Sequence, residues 1–460
     1  MAHAEPRRQG MAGFLLVWAG QVVSTLGSNL TGFALAVWVY QRTGSATRFA
    51  LIAFATMVPG LLLTPLAGVL VDRWDRRHAL ILSDAGAGCA TLGLVVLIRQ
   101  GHLEIWEIYL LMAAVSAFGA LRWPAFSAAT TLMVPSRHLG RASGMTQLGE
   151  AAAELTAPAL AGVLLGVVGR QGIVLVDFVT YLAAIGTLLL VRMPSPPASA
   201  AGTAARGSLL REARFGWLFI RRRPGLLALL LVFAATGIGL GMVQVLLSPM
   251  VLAFTSAAVL GRVLTGAGCG MVAGSLVMSA WEGPRRRVAW ILGLLALQGT
   301  VLLFGGWRPS APLIALAAAV YLFATPVMNA CSQVLWQSKV PPDVQGKVFA
   351  VRRLVASSTL PLAYLAAGPL ADRVFEPLLA PGGPLAGNVG RLIGVGKGRG
   401  IALLFIVLGA FVLAIVAAAW RYPRLRGLES ELPDTLPAAL PDALPGTAAP
   451  SPALLPTVSL

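Results

Sequence analysis

The chain has 460 residues, 57% of them hydrophobic and only 12% charged, with a net charge of +17 and a mean hydropathy of +0.79. Soluble domains are about one-quarter charged, so a single water-facing globule is excluded and lipid is the natural solvent for most of these side chains. The positive surplus, which in a soluble chain would suggest nucleic acid, instead fits a topology that gathers basic residues on one membrane face; no nucleic-acid partner is expected.

A helix needs about 20 apolar residues to cross a bilayer. Such runs lie at 13–40, 47–71, 78–98, 106–133, 142–168, 172–192, 225–249, 255–280, 288–306, 311–336, 352–371 and 400–420, so the fold class is an all-α integral membrane protein with twelve transmembrane helices. The first run is too long for a cleavable leader and lacks a small-residue cleavage site. Trp38, Tyr40, Trp106, Tyr109, Trp281, Trp307, Trp336, Trp420 and Tyr422 cluster at run ends, as an interfacial aromatic belt does. An even number of spans puts both termini on one side. If that side is the cytosol, it receives roughly two thirds of the 35 basic residues, as the positive-inside rule demands.

Residues 1–193 form a first six-helix half and 225–426 a second. The linker 194–224 opens with Pro194, Pro196 and Pro197 and ends in Leu209–Arg223, where Leu210, Phe215, Leu218 and Phe219 alternate with arginines; that pattern predicts an amphipathic helix on the inner leaflet. The Pro-, Ala- and Leu-rich segment 427–460 is expected to be a disordered cytosolic tail. Cys89, Cys269 and Cys331 all lie in apolar runs and read as small buried residues, and the four histidines show no ligand spacing, so no metal or cofactor is called for.

The chain repeats itself. Ala67-Gly68-Val69-Leu70-Val71-Asp72-Arg73 closes the second span and Ala367-Gly368-Pro369-Leu370-Ala371-Asp372-Arg373 the eleventh, with Ala161-Gly162-Val163-Leu164 in the fifth and Ala273-Gly274-Ser275-Leu276 in the eighth, at regular offsets of 94 and 206 residues. Val134-Pro135 with Gly140-Arg141 and Val340-Pro341 with Gly346-Lys347 obey the same 206-residue shift. That shift joins spans of equal direction and the shorter one joins spans of opposite direction. Each half is therefore a 3+3 inverted repeat, the nested plan of the major facilitator fold, with a substrate site near the midplane between halves.

The loop Gly68-x-x-x-Asp72-Arg73-x-x-Arg76-Arg77 resembles the signature loop of the major facilitator superfamily, with Asp75 where a glycine is usual. In that family the loop latches the cytoplasmic side; an arginine cluster at a cytosolic helix end is also expected from topology alone. Leu26-Gly27-Ser28, Arg122-Trp123-Pro124-Ala125 and Val340-Pro341-Pro342-Asp343-Val344-Gln345-Gly346-Lys347-Val348-Phe349 resemble the bacterial branch of macrolide-efflux proteins and enterobactin-type siderophore exporters. The resemblance implies proton-driven export of a bulky amphipathic small molecule across a bacterial cell membrane. It implies no cofactor beyond the proton gradient, and a monomer whose partners are the small-molecule substrate and the bilayer. A facilitator or importer on the same fold, and a lipid-moving or sensor protein, remain alternatives. An enzyme is not expected: Gly394-Val395-Gly396-Lys397-Gly398 has the wrong spacing for a nucleotide loop.

Ionisable residues inside spans cost roughly 2.5–3.5 kcal/mol each on insertion scales, so each asks for a reason. Asp84, Arg122, Glu150, Glu154 and Asp177 all fall in the first half, and the spans of the second half hold no interior acid. Arg122 precedes Pro135 by about 20 Å of helix and Glu150 follows Arg141 and Arg137 by about 14–20 Å, so the two reach similar depth. This predicts Glu150 or Glu154 as a proton carrier with Arg122 as its partner, or a static ion pair that fixes packing. Asp84 is expected to support the loop, Asp177 to cap a helix or serve an outer gate, and Asn29 and Gln147 to bind substrate or bridge helices.

Overall fold

In a bilayer every backbone amide must be satisfied within the chain, so each apolar run has to become a helix. A computed structural model describes residues 10–134, 139–191, 209–280, 284, 286–340 and 345–431, and within them twelve helices are long and apolar enough to cross a membrane. The first half holds Gly10–Thr43, Ala46–Arg73, Arg76–Gln100, a broken fourth span of Ile105–Gly119 and Arg122–Met133, Leu139–Val167 and Gly169–Leu190. The second holds Pro224–Leu252, Ala257–Ala280, Arg287–Gly305, Ala311–Lys339, Gln345–Pro369 with its continuation, and Arg399–Arg421.

Local chemistry sets the ends. Ser45 caps the second span by accepting the Arg48 amide at 3.2 Å. Asp75 caps the third by accepting the Arg77 amide at 2.8 Å. Glu104 and Glu107 close a capping box on the fourth. Pro124 breaks that fourth span, because it offers no amide to the carbonyl of Ala120 and its ring crowds that carbonyl. The eleventh helix does not end near residue 371 as expected. After Pro369 it widens into a π turn over Leu370–Phe375, in which the Glu376 amide reaches back five residues to Ala371, and it continues to Leu378. The second half therefore does carry acids on a spanning helix, Asp372 and Glu376, contrary to the sequence expectation.

The helix pairings repeat. In the first half the first span packs on the fifth, the second on the fourth and the third on the sixth; in the second half the seventh packs on the eleventh, the eighth on the tenth and the ninth on the twelfth. The halves meet where the fifth span packs on the eighth and the second on the eleventh. These four helices are the ones that carry the repeated Ala-Gly segments. The amphipathic helix forms at Leu209–Arg221 and packs on the start of the eleventh span. Linker residues 194–208 lie outside the described residues. The expected tail begins differently: Leu428–Glu431 is helical, Leu428 is buried, and Glu429 accepts the Arg287 amide at 2.6 Å. Residues 432–460 lie outside the described set.

Candidate functional site

The first span presents Gln21, Ser24, Thr25 and Ser28 at spacings of three and four, which puts four polar side chains on one helical face. Around that stripe the first half collects its buried charges. Arg122, at the fourth-span break, donates from Nη2 to Asp84 Oδ1 at 3.1 Å and to Ser24 Oγ at 3.3 Å, and from Nη1 to Thr25 Oγ1 at 3.2 Å. Gln21 Nε2 donates to the other oxygen of Asp84 at 2.7 Å. Asp84 is fully buried. The Arg122 guanidinium lies 5.7 Å from the centre of the Tyr181 ring. The Tyr181 hydroxyl shares a 2.8 Å hydrogen bond with Ser28, whose hydroxyl also lies 3.4 Å from Asp177 Oδ1. Asp177 is buried too. A hydrogen-bonded line thus runs from Asp84 through Arg122 to the first-span stripe, and from Tyr181 through Ser28 to Asp177.

This corrects the expected partnership. Arg122 pairs with Asp84, not with Glu150 or Glu154. Depth along the membrane normal matched Glu150 to Arg122, but the rotation of the helices turns Arg122 toward the first and third spans. Glu150 does share a cavity of about 220 Å³ with Arg122, walled also by Trp18, Thr25 and Phe126, but no bond joins the two. Asn29 is half-buried and bridges no helix among the described residues. The side chain of Gln147 lies outside them.

A second cavity, about 360 Å³ in volume, lies between the halves. Glu154, Leu155 and Pro158 of the fifth span form one wall, and the second half forms the remainder with residues such as Leu240, Met250, Leu264, Tyr321 and Phe405. Glu154 is the one charged residue in this wall and has no cationic partner among the described residues. Opposite it, Tyr364 donates its hydroxyl to Gln244 Oε1 at 3.3 Å, a polar pair that the sequence reading missed.

In the loop after the second span, Arg77 donates from Nε to the Leu188 carbonyl and from Nη2 to the Leu189 carbonyl, each at 2.8 Å, so it closes the C-terminus of the sixth span. Arg76 is half-buried beside it. Gly68, Asp72 and Arg73 lie at the end of the second helix, with side-chain surroundings outside the described residues. The missed residues Gln21, Ser24, Thr25 and Ser28 carried a signal of their own in that helical spacing.

Two six-helix halves in matching pairings, with a cavity between them, define a polytopic membrane carrier. The family model described as Major Facilitator Superfamily matches residues 17–364, and the chain belongs to that superfamily. Over 368 residues it is 25% identical to Macrolide efflux protein A of Streptococcus pyogenes, covering 78% of this chain and 90% of that one. Over 371 residues it is 28% identical to the Multidrug efflux pump Tap of Mycobacterium tuberculosis, covering 78% and 87%. Among solved structures, it superposes with a TM-score of 0.65 on a bacterial homologue of the human lysosomal transporter Spinster in an inward-facing, unoccupied conformation. That match has 16% identity and covers 92% of this chain and 98% of the other; at such identity the likeness concerns the fold alone.

Proposed function

We propose that this transporter exports a bulky, amphipathic, drug-like molecule in exchange for protons, by alternating access of the cavity between its halves. The observation that carries this reading is that cavity: mostly apolar in its wall, sized for a small molecule, with the carboxylate of Glu154, which has no cationic partner among the described residues, in it. The curated relatives named as macrolide and multidrug exporters support the direction of transport. In this reading an amphipathic substrate buries its apolar body against Leu240, Met250 and Phe405 while Glu154 meets its polar end. Protons enter through the buried carboxylates of the first half. Movement of the halves that alters the surroundings of these carboxylates then couples proton to substrate. The termini face the cytosol of a bacterial cell, as the basic-residue bias directs, and the protein works as a monomer with no cofactor.

The test is reconstitution in liposomes with an imposed proton gradient, following hydrophobic dyes, macrolides and siderophores. Wild type is run beside Asp84→Asn, Glu150→Gln and Glu154→Gln. Gradient-driven movement in wild type that at least one of these variants abolishes is the expected result. Movement indifferent to the gradient would establish a facilitator instead and reduce the buried carboxylates to packing roles.

A further inference from the structure

On the face opposite the termini, here called distal, the described residues show hydrogen bonds that join the two halves directly. Asp372, on the π turn near the end of the eleventh span, accepts hydrogen bonds from Ser45 Oγ at 2.6 Å, from the Ala46 amide at 2.9 Å and from the Thr47 amide at 2.8 Å. Ser45, Ala46 and Thr47 open the second span, in the other half of the molecule. The first amides of a helix have no partner within it and carry the positive end of its dipole, so a carboxylate is the group that suits them.

Four further observations point the same way. Gly368, one turn before Asp372, lets the two backbones close: a Cβ there would sit 2.4 Å from Thr47 Cα. The π turn is a local irregularity of a kind common at functional sites. Glu376, one turn further on, accepts the Gly398 and Ile401 amides at 3.2 Å each, at the start of the twelfth span of its own half. One helix end thus holds two others: Glu376 binds within the half and Asp372 binds across it. Asp372-Arg373 is also the internal copy of Asp72-Arg73, the acid–arginine step of the loop on the terminal face.

We propose that Asp372 is a gating residue of the distal face, whose carboxylate caps the second span to hold the two halves closed there and lets go when the cavity opens to that side. It acts through the backbone of the second span and touches no substrate, so it is a positioning residue for the transport cycle. The proposal rests on the alternating-access reading above.

The experiment measures distances between spin labels in the full-length protein in lipid nanodiscs, with Cys89, Cys269 and Cys331 first replaced by alanine. One pair of labels joins the halves on the distal face, at the exposed residues Gln41 and Leu392; a second joins them on the terminal face, at Trp74 and Trp420. Asp372→Asn and Asp372→Ala are expected to raise the long-distance population of the distal pair about five-fold, the shift that follows the loss of one helix cap, while the terminal pair shortens. Ser45→Ala, which removes one of the three donors, gives a smaller shift of the same sign, and Asp372→Glu stays nearer wild type than Asp372→Asn. Unchanged distances in folded, monodisperse Asp372→Asn, or a fall in thermal stability with no change in either distance, would overturn the proposal. If Asp372→Asn does not fold, the Ser45→Ala distances decide. Efflux by the wild type is a separate readout, so loss of the transport reading and loss of the gate are told apart.

Discussion

Asp84 and Arg122 show how much one partner matters in a buried pair. Asp84 is fully enclosed and takes its two polar contacts from Gln21 and Arg122, so its removal leaves a cation among neutral hydroxyls. Breaking a buried pair from one side costs about 3–5 kcal/mol. Asp84→Asn is therefore expected to unfold at a clearly lower temperature, followed by tryptophan fluorescence, and to lose gradient-driven efflux. The double variant Asp84→Asn, Arg122→Gln should regain much of the stability, because the charge mismatch is gone; under the proposed proton exchange it does not regain efflux, because a carboxylate proposed to carry protons is gone as well. An Asp84→Asn protein as stable as wild type would mean that the pair bears little of the packing. The ionisable residues themselves were legible in the sequence, since a charge inside an apolar run declares itself. Their partners were not: helix rise gives height in the membrane, and Glu150 matches Arg122 in height, but only the rotation of each helix decides which side chains meet. The first-span stripe from Gln21 to Ser28 held that rotational information and identifies the face toward which Arg122 turns.

Helices in lipid associate through close backbone approach rather than through a hydrophobic drive, so small residues mark the tight contacts. Gly270 and Gly274 lie four apart on the eighth span and face the tenth: a Cβ at Gly270 would meet the Ala319 carbonyl at 2.0 Å, and one at Gly274 the Phe323 carbonyl at 2.2 Å. Backbone cannot yield as a side-chain tip can. Gly270→Ala is thus expected to lower the yield and melting temperature of the purified protein, despite the better helix propensity of alanine. Gly293→Ala, where a Cβ meets nothing within 4 Å, should be neutral or stabilising by up to about 1 kcal/mol. Equal melting temperatures for the two variants would refute the close contact. At this scale the sequence was a good guide to where spans lie and a weaker one to how they end. Hydropathy locates apolar runs, but it does not register that Pro124 divides the fourth span or that the chain after Pro369 stays helical by widening its turn. The acids at the end of the eleventh helix looked like loop residues for that reason.

For the whole molecule, the repeat in the sequence and the contacts between halves describe the same object. The Ala-Gly segments recur on the second, fifth, eighth and eleventh spans, and those spans make the cross-half pairs. Two of the four glycines already sit at distal contacts, Gly368 against Thr47 and Gly162 against the Ala257 carbonyl and Ala258. On the terminal side the halves also touch, with the Arg353 guanidinium 6.0 Å from the centre of the Trp123 ring. Rocking of one half against the other would have to break the distal contacts to open the cavity that way. A tether across them should therefore stop the cycle. A Cβ at Gly162 lies 3.4 Å from Ala258 Cα, close enough for the short Cβ separation of a disulfide, about 3.5–4.5 Å. In a background without Cys89, Cys269 and Cys331, the double variant Gly162→Cys, Ala258→Cys is expected to lose vesicle efflux on oxidation and recover it on reduction, while either single variant is indifferent to both. Efflux at the wild-type rate from fully cross-linked protein would mean that the fifth and eighth spans stay together throughout transport. The opening would then have to lie elsewhere, and the second and eleventh spans, where Asp372 holds them, would be the place left for it.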